Sequence, residues 1–272
     1  FEKLAQLNDK FSIVRSFTTQ SSAHDSKPIV SKEFSAGAQI GSHYARVAGA
    51  NHPQSGMPRN VWLHPQAVDS EASDPIMSLG KFDVTGPLGS AFEPFQPSGK
   101  GERLLNGDMQ LRIDPNRLDD RQTFLSSLSN FRSTIETRSL EEGLDRFQTQ
   151  AFETLTGGIS EAFDINKEDS KTLERYDTSN LIDFDNISSR WNNRKRYANH
   201  VKNLGRLMLL ARRLAERGAG FITVSTDFVW DMHADNNNAT MPEGMGYVGR
   251  PFDHAVSAFI EDVEARGLSE KI

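Results

Sequence analysis

The sequence contains no cysteine, which excludes disulfides, zinc–thiolate sites and cysteine nucleophiles from this chain. It also lacks any apolar run near the roughly 18 residues of a membrane-spanning helix, so we expect no membrane span. A basic excess is missing too, because 37 acidic residues outnumber 31 basic ones. This balance argues against a nucleic-acid partner. The common nucleotide-binding, metalloprotease and EF-hand motifs are absent.

What is present is typical of a polar globular protein. The chain has 272 residues, of which 36% are hydrophobic and 25% are charged, enough for one large domain or two small ones. One basic cluster, residues 190–196, includes Trp191 and has two interpretations. It is either a phosphate-binding strip or the solvated start of a helix, and we favour the helix start.

Residues 1–48 are predicted to form a first strand–helix unit. A short helix is indicated at the N-terminal end, and an apolar, partly β-branched run from Phe11 to Phe17 predicts a buried strand. A helix is expected from about Ile40 to Ala48. Residues 49–190 are predicted to be a long insertion, mostly irregular to about 117 and then helical between 118 and 155.

Residues 191–272 have the clearest pattern. An apolar stripe from Val201 to Ala215, at spacings of three and four, predicts a helix that ends at Gly218. A strand is predicted over Phe221–Thr226. A polar loop and an amphipathic helix over Phe252–Val263, closed by Gly267, follow. Helix, strand, long loop and helix in this order indicate an α/β fold with a parallel sheet.

In such sheets functional side chains gather where loops leave the carboxyl ends of strands. The loop after the predicted strand over Phe221–Thr226 carries Asp231 and His233. They offer one hard oxygen and one imidazole nitrogen, a mixture that suits zinc, manganese or iron. Spacing of two residues in an extended loop directs both side chains to the same side. The alternative is that Asp and Asn side chains here cap turns and the following helix.

The loop that follows Phe17 is the second candidate. It could hold a hydroxyl nucleophile with a nearby base, carried by Thr18, Thr19, Ser22 and His24. A solvated polar loop with a helix cap is the alternative. The remaining histidines have no partner at a telling spacing, so we expect them to be exposed or hydrogen-bonded in the core: His43, His52, His64, His200 and His254.

Several stretches resemble the bacterial domain of unknown function 1501 family. The main ones are Phe221–Val224, the loop Trp230-Asp231-Met232-His233, and the helix from Phe252 to Leu268. Looser matches are Ile13–Phe17 with His24 downstream, Gly86–Phe95, and Ala211-Arg212-Arg213-Leu214. The resemblance covers essentially the whole chain.

That family is similar to sulfatases and alkaline phosphatases in overall fold. The resemblance implies an alkaline-phosphatase-like parallel sheet flanked by helices, with Asp231 and His233 as ligands of a divalent metal ion (zinc, manganese, calcium or magnesium). It implies export from the cytoplasm as well. Further ligands are expected before Phe1 and after Ile272, so we expect an internal fragment truncated at both ends. The sulfatase signature Cys/Ser-x-Pro-x-Arg is missing, which argues against a formylglycine sulfatase.

The expected function is that of a metal-dependent hydrolase of phosphate or sulfate esters, acting on a small-molecule or glycan ester. A hydroxyl or a metal-bound water near Thr18, Thr19 or Ser22 would attack, and His24 would bind the substrate or a second metal. One alternative is a non-catalytic exported protein that keeps the fold and binds a carbohydrate or a partner. Another is a fragment without activity of its own.

Overall fold

The computed structural model describes residues 1–16, 37–73, 82–97, 160–227 and 230–272. The helices and strands of these residues, in chain order, are α1 (Glu2–Gln6), α2 (Ile40–Ala48), β1 (Asn60–Leu63), α3 (Ser160–Phe163), α4 (Ser170–Tyr176), α5 (Arg194–Glu216), β2 (Phe221–Val224) and α6 (Met241–Ala265). Short 3₁₀ turns lie at Pro65–Ala67, Gly86–Leu88, Ser90–Phe92, Ile165–Lys167 and Phe184–Asn186.

Strands β1 and β2 pair in parallel, with Asn60 opposite Phe221 and Leu63 opposite Val224. The backbone of Phe95 extends the pairing on the other side of β1: Trp62 N–H donates to the Phe95 carbonyl at 2.9 Å, and Phe95 N–H donates to the Asn60 carbonyl at 2.8 Å. All four residues of β1 are buried, so β1 lies inside the structure. The parallel pairing and the mixture of helix and strand agree with the predicted α/β class.

Strand β1 lies within residues 49–117, where the sequence predicts mostly irregular structure. A run of only four residues between Pro- and Gly-rich segments gives little local signal, and its strand geometry comes from the partners on both of its sides. The division of the chain into a strand–helix unit, an insertion of residues 49–190 and a C-terminal segment stays a prediction.

The long helices α5 and α6 supply much of the core. Leu207, Leu210 and Leu214 of α5 are fully buried, and they pack in one cluster with Val61 and Leu63 of β1 and with Ala258 of α6. Gly218 and Gly267 follow the two helices with φ of +104° and +65°, a conformation that glycine adopts at little cost. Both predicted helix ends are therefore confirmed.

Helix α6 begins at Met241, well before the predicted start at Phe252. Thr240 caps it, since its Oγ1 accepts a hydrogen bond from Glu243 N–H at 3.4 Å and its hydroxyl donates to the Glu243 carboxylate at 2.6 Å. Thr240 and Glu243 have the Thr-x-x-Glu spacing of a capping box, and here the carboxylate bonds the Thr240 hydroxyl. The glycines and the internal Pro251 of its first half weaken the helical pattern of the sequence.

Helices α4 and α5 approach each other unusually closely at Gly205. A Cβ atom there would lie 1.7 Å from the Tyr176 carbonyl oxygen. Beside it, the Thr178 hydroxyl donates to the Val201 carbonyl at 2.6 Å and accepts from Gly205 N–H at 3.1 Å. The hydroxyl thus bridges a donor and an acceptor that are one turn apart along α5, and the contact requires glycine at this position.

The predicted strand over Phe11–Phe17 is wrong for the residues that the structure describes. Residues 11–16 have no regular secondary structure, and Ile13 and Val14 are 69% and 73% exposed. A strand needs a neighbour for its backbone hydrogen bonds, and the described strand pair is formed by β1 and β2 alone. The short N-terminal helix and the helix over Ile40–Ala48 are confirmed. The helices predicted between 118 and 155 lie outside the described residues.

Helix α1 is held against α6 by one carboxylate. Asp253 accepts hydrogen bonds from the backbone N–H groups of Lys3 and Leu4 at 3.0 and 2.8 Å. The rings of Phe1 and Phe252 meet edge to face at 5.7 Å. Among the described helices, none is long and apolar enough to cross a membrane.

Candidate metal-binding loop

The loop between β2 and α6 leaves the carboxyl edge of the parallel strand pair. It begins with Ser225, whose hydroxyl oxygen accepts a hydrogen bond from the Trp62 indole N–H of β1 at 2.8 Å. Thr226 and Asp227 follow, and residues 230–240 lead into α6. The loop therefore has the position in which functional groups of open α/β sheets are found.

The two predicted metal ligands lie together on this loop. His233 Nε2 and Asp231 Oδ2 are in hydrogen-bond contact, with side chains 50% and 23% exposed. The backbone turns directly afterwards at Ala234, whose φ is +55°. A carboxylate oxygen and an imidazole nitrogen thus share one side of the loop and reach solvent. Elsewhere in the described residues, as here, no group of three or more His, Asp or Glu side chains is placed to hold a metal ion.

Met232, which stands between the two candidate ligands, points the opposite way into the protein. It packs against a buried cluster formed by Ile187, Trp191, Tyr197, Ala239 and Val248. It also lies against Gly244 of α6, where a Cβ atom would come within 2.6 Å of the Met232 sulfur. The absence of a side chain at Gly244 is therefore what allows Met232 to anchor the loop.

A pair of asparagines at the start of α5 fastens the next part of the loop. The backbone N–H groups of Asn192 and Asn193 donate to the carbonyls of Asn236 and Asn237 at 3.0 and 3.1 Å. Their side chains add two bonds: Asn192 Nδ2 donates to Asn237 Oδ1 at 2.9 Å, and Asn193 Nδ2 donates to Asn238 Oδ1 at 2.6 Å. We call these four contacts the asparagine strap.

The capping alternative raised by the sequence holds for Asp235. Its Oδ1 accepts hydrogen bonds from the backbone N–H groups of Asn237 and Asn238, both at 2.7 Å. The bonds from Asn238 and Asn237 keep the pKa of this carboxyl below its usual range. Asp235 therefore shapes the turn, whereas Asp231 faces His233.

Two polar groups of α5 meet the end of β2: His200, which the sequence analysis expected to be exposed or hydrogen-bonded in the core, and Asn199, which it did not name. His200 is buried, with Nδ1 2.9 Å from Thr226 Oγ1 and Nε2 3.2 Å from the Val248 carbonyl. Asn199 Nδ2 donates to Asp227 Oδ2 at 3.0 Å. Burial lowers the pKa of His200 to about 4 and raises the pKa of Asp227. Both residues directly precede the apolar stripe that begins at Val201.

A buried ion-pair cluster lies at the other ends of α5 and α6, and it was missed as well. Arg212 is fully buried, and its guanidinium pairs with Glu168 at 3.0 Å, Glu216 at 2.6 Å and Asp262 at 2.9 Å. Arg266 contacts Asp262 at 2.9 Å and Glu168 at 3.1 Å. Both arginines stand in stretches that resemble the family noted above, which was the available signal. The cluster joins the C-terminal ends of the two long helices.

Within the basic cluster over residues 190–196, one arginine contacts neighbouring backbone and an aromatic ring. Arg194 of the basic cluster donates to the carbonyls of Ile187 and Phe184 at 2.7 and 2.9 Å, and its guanidinium lies 3.9 Å from the Phe184 ring centroid. Helix α5 begins at Arg194, so the interpretation of the cluster as a helix start is confirmed. Thr18, Thr19, Ser22 and His24 lie outside the described residues, so their roles stay predictions.

His254 follows the expectation of a histidine that is hydrogen-bonded within the structure. Its Nε2 lies 2.8 Å from the Arg175 carbonyl and its Nδ1 lies 2.7 Å from Lys3 Nζ. His254 and Lys3 line a cleft of about 540 Å³ between α1 and α6. No residue of the loop over 230–240 lines this cleft. We place the candidate site at the loop because Asp231 and His233 supply the candidate ligand atoms there.

The chain belongs to the family described as protein of unknown function DUF1501, whose model matches residues 1–272. The resemblance noted from the loop and helix motifs is therefore confirmed at the level of the family. No curated protein and no solved structure matches the chain.

Proposed function

We propose that this protein is a metal-dependent hydrolase of phosphate or sulfate esters, with Asp231 and His233 as two of its metal ligands. The observation that carries the proposal is their contact on the loop that leaves the carboxyl edge of the parallel strands. One hard oxygen and one imidazole nitrogen at hydrogen-bond distance, both open to solvent, fit a divalent ion such as zinc or manganese. The proposal includes an alkaline-phosphatase-like arrangement of the complete sheet and export from the cytoplasm.

The residues around this pair hold it in position. Met232 holds the backbone between Asp231 and His233, and the asparagine strap holds it beyond His233. A ligand pair held in advance loses less conformational freedom when it binds an ion. A divalent ion bound there would polarise an ester oxygen and stabilise the negative charge that develops during hydrolysis. The substrate class is a small-molecule or glycan ester.

The test measures metal binding and ester hydrolysis in the purified protein. We expect zinc or manganese to bind in isothermal titration calorimetry, and Asp231→Ala and His233→Ala to weaken that binding at least tenfold. Metal-dependent hydrolysis of p-nitrophenyl phosphate or p-nitrophenyl sulfate should be lost with it. Asp185→Ala and His254→Gln are the matched controls, since both alter the same residue types outside the loop.

Two outcomes would contradict the proposal in different ways. If the wild type and both loop variants hold the same negligible amount of metal, the metal site is wrong. If metal binds at the loop but no ester is hydrolysed, the second candidate function remains, a non-catalytic exported protein that binds a carbohydrate or a partner.

A further inference from the structure

We propose that His200 is a positioning residue for the candidate metal-binding loop. It contacts Thr226, just after β2, and Trp230, just before Asp231, and so holds both ends of the segment that leads to the first candidate ligand. The inference rests on the proposed function for its consequence, the metal affinity. Its structural part, the placement of the loop, can be tested without metal.

The hydrogen bonds of His200 define its role. Its side chain lies in the interior, with 1% of the residue exposed. A carbonyl oxygen only accepts hydrogen bonds, so the contact between Nε2 and the Val248 carbonyl at 3.2 Å assigns the ring proton to Nε2. In the neutral ring Nδ1 is then an acceptor, and the Thr226 hydroxyl donates to it at 2.9 Å. His200, which belongs to α5, thereby links the end of β2 to α6.

The same ring also meets the far end of this short segment. Trp230 lies edge to face with His200, at a centroid distance of 6.1 Å and an angle of 89°. On its other side Trp230 meets Phe252 of α6 at 5.5 Å and 89°. Trp230 is 43% exposed, and these two ring contacts hold its remaining surface. Because Trp230 directly precedes Asp231, its orientation sets the position of the first candidate ligand.

This arrangement differs from that of a histidine that only fills the core. The Thr226 hydroxyl and the Trp230 ring, which both contact His200, belong to the path of the loop, whereas the Val248 carbonyl belongs to a helix. Partners that orient metal ligands from outside the coordination sphere commonly change metal affinity by about 10- to 100-fold when they are removed. We expect an effect of that size here.

The experiment compares four variants with the wild type. His200→Leu removes both nitrogens and the ring, and Thr226→Val removes only the hydroxyl. His200→Asn is the conservative variant, since its amide oxygen can take the place of Nδ1 as acceptor for Thr226. Tyr176→Phe is the control, because it removes a buried hydroxyl that donates to Asp262 at 3.1 Å, away from the loop. Urea unfolding records the stability of each variant.

Two readouts are measured for every variant. The first is the zinc dissociation constant by isothermal titration calorimetry. The second is acrylamide quenching of tryptophan fluorescence without metal, which reports mainly on Trp230 because Trp62 and Trp191 are only 1% and 3% exposed. A Trp230→Phe protein identifies that part of the signal.

We expect His200→Leu and Thr226→Val to weaken zinc binding about tenfold or more and to increase the quenching. His200→Asn should recover part of both, and Tyr176→Phe should lose stability while both readouts stay unchanged. Unchanged zinc affinity in His200→Leu would overturn the inference. If the wild type binds no zinc, the proposed function fails separately. Quenching then decides the placement of the loop: a rise in His200→Leu supports it and an unchanged value refutes it.

Discussion

The buried ion-pair cluster around Arg212 leads to the sharpest prediction on stability. Arg212→Met removes a guanidinium that contacts Glu168, Glu216 and Asp262 in the interior. Breaking a buried pair by removing one partner costs about 3–5 kcal/mol, because a buried charge is left without compensation.

The structure places Arg212→Met at the lower end of that range. Glu168 keeps contacts with Arg213 and Arg266, and Asp262 keeps Arg266 at 2.9 Å. We therefore expect a loss of about 3 kcal/mol in the free energy of unfolding, from urea unfolding at pH 7. In a protein of this size that corresponds to a melting temperature lower by about 6–12 °C.

The pH dependence provides an independent check. Burial alone would raise the pKa of Glu168, but hydrogen bonds and charge from Arg212 and Arg213 outweigh it and hold the pKa below its ordinary value of 4.5. A lowered carboxyl pKa stabilises the folded protein above pH 4.5, and that stabilisation is lost as the pH falls through the folded-state pKa. The difference in the free energy of unfolding between wild type and Arg212→Met should therefore become smaller below about pH 4.5.

The control for this prediction is Arg217→Met, which changes an exposed arginine just beyond the same helix. Its effect should stay within about 0.5 kcal/mol. If Arg212→Met and Arg217→Met unfold at the same urea concentration, the cluster does not stabilise the fold. If the difference from wild type is instead constant from pH 7 to pH 3, the argument from Glu168 is wrong.

Two further predictions concern glycines. Gly244→Ala places a Cβ atom 2.6 Å from the sulfur of Met232, so it should displace the loop and weaken zinc binding in calorimetry. The control is Gly246→Ala, which has open space around its Cβ position and should leave zinc binding unchanged. Equal zinc affinities of the two variants would contradict the anchoring role of Met232. Gly205→Ala forces a Cβ atom against the Tyr176 carbonyl at 1.7 Å, so both helices must shift. We expect the free energy of unfolding in urea to fall by about 2–3 kcal/mol. Undiminished stability would rule out the close approach.

The elements that the sequence predicts well are those with a strong local pattern. The apolar stripe from Val201 to Ala215 recurs over several turns, and Gly218 marks its end, so α5 follows from periodicity alone. The first half of α6 does not follow from periodicity, because its glycines weaken the helical pattern. They serve contacts instead, such as that between Gly244 and Met232. The strand predicted over Phe11–Phe17, which residues 11–16 do not form, shows the complementary error, since strand formation depends on a neighbour that no local pattern reveals.

The candidate site divides in the same way. Asp231 and His233 are two residues apart in the chain, and their types are those of metal ligands, so the sequence indicates them directly. The role of His200 was hidden because its hydrogen-bond partners, Thr226 and Val248, are 26 and 48 positions away along the chain. Contacts that bring distant segments together become visible only in the folded structure.

The asparagine strap also has an entropic consequence. The segment between β2 and Asn236 is a loop whose two ends are already fixed in the folded protein, one by strand pairing and the other by hydrogen bonds to Asn192. The conformational entropy of closing such a loop is lost once, during folding. A ligand that arrives at Asp231 and His233 then meets a segment whose two ends are already held in place.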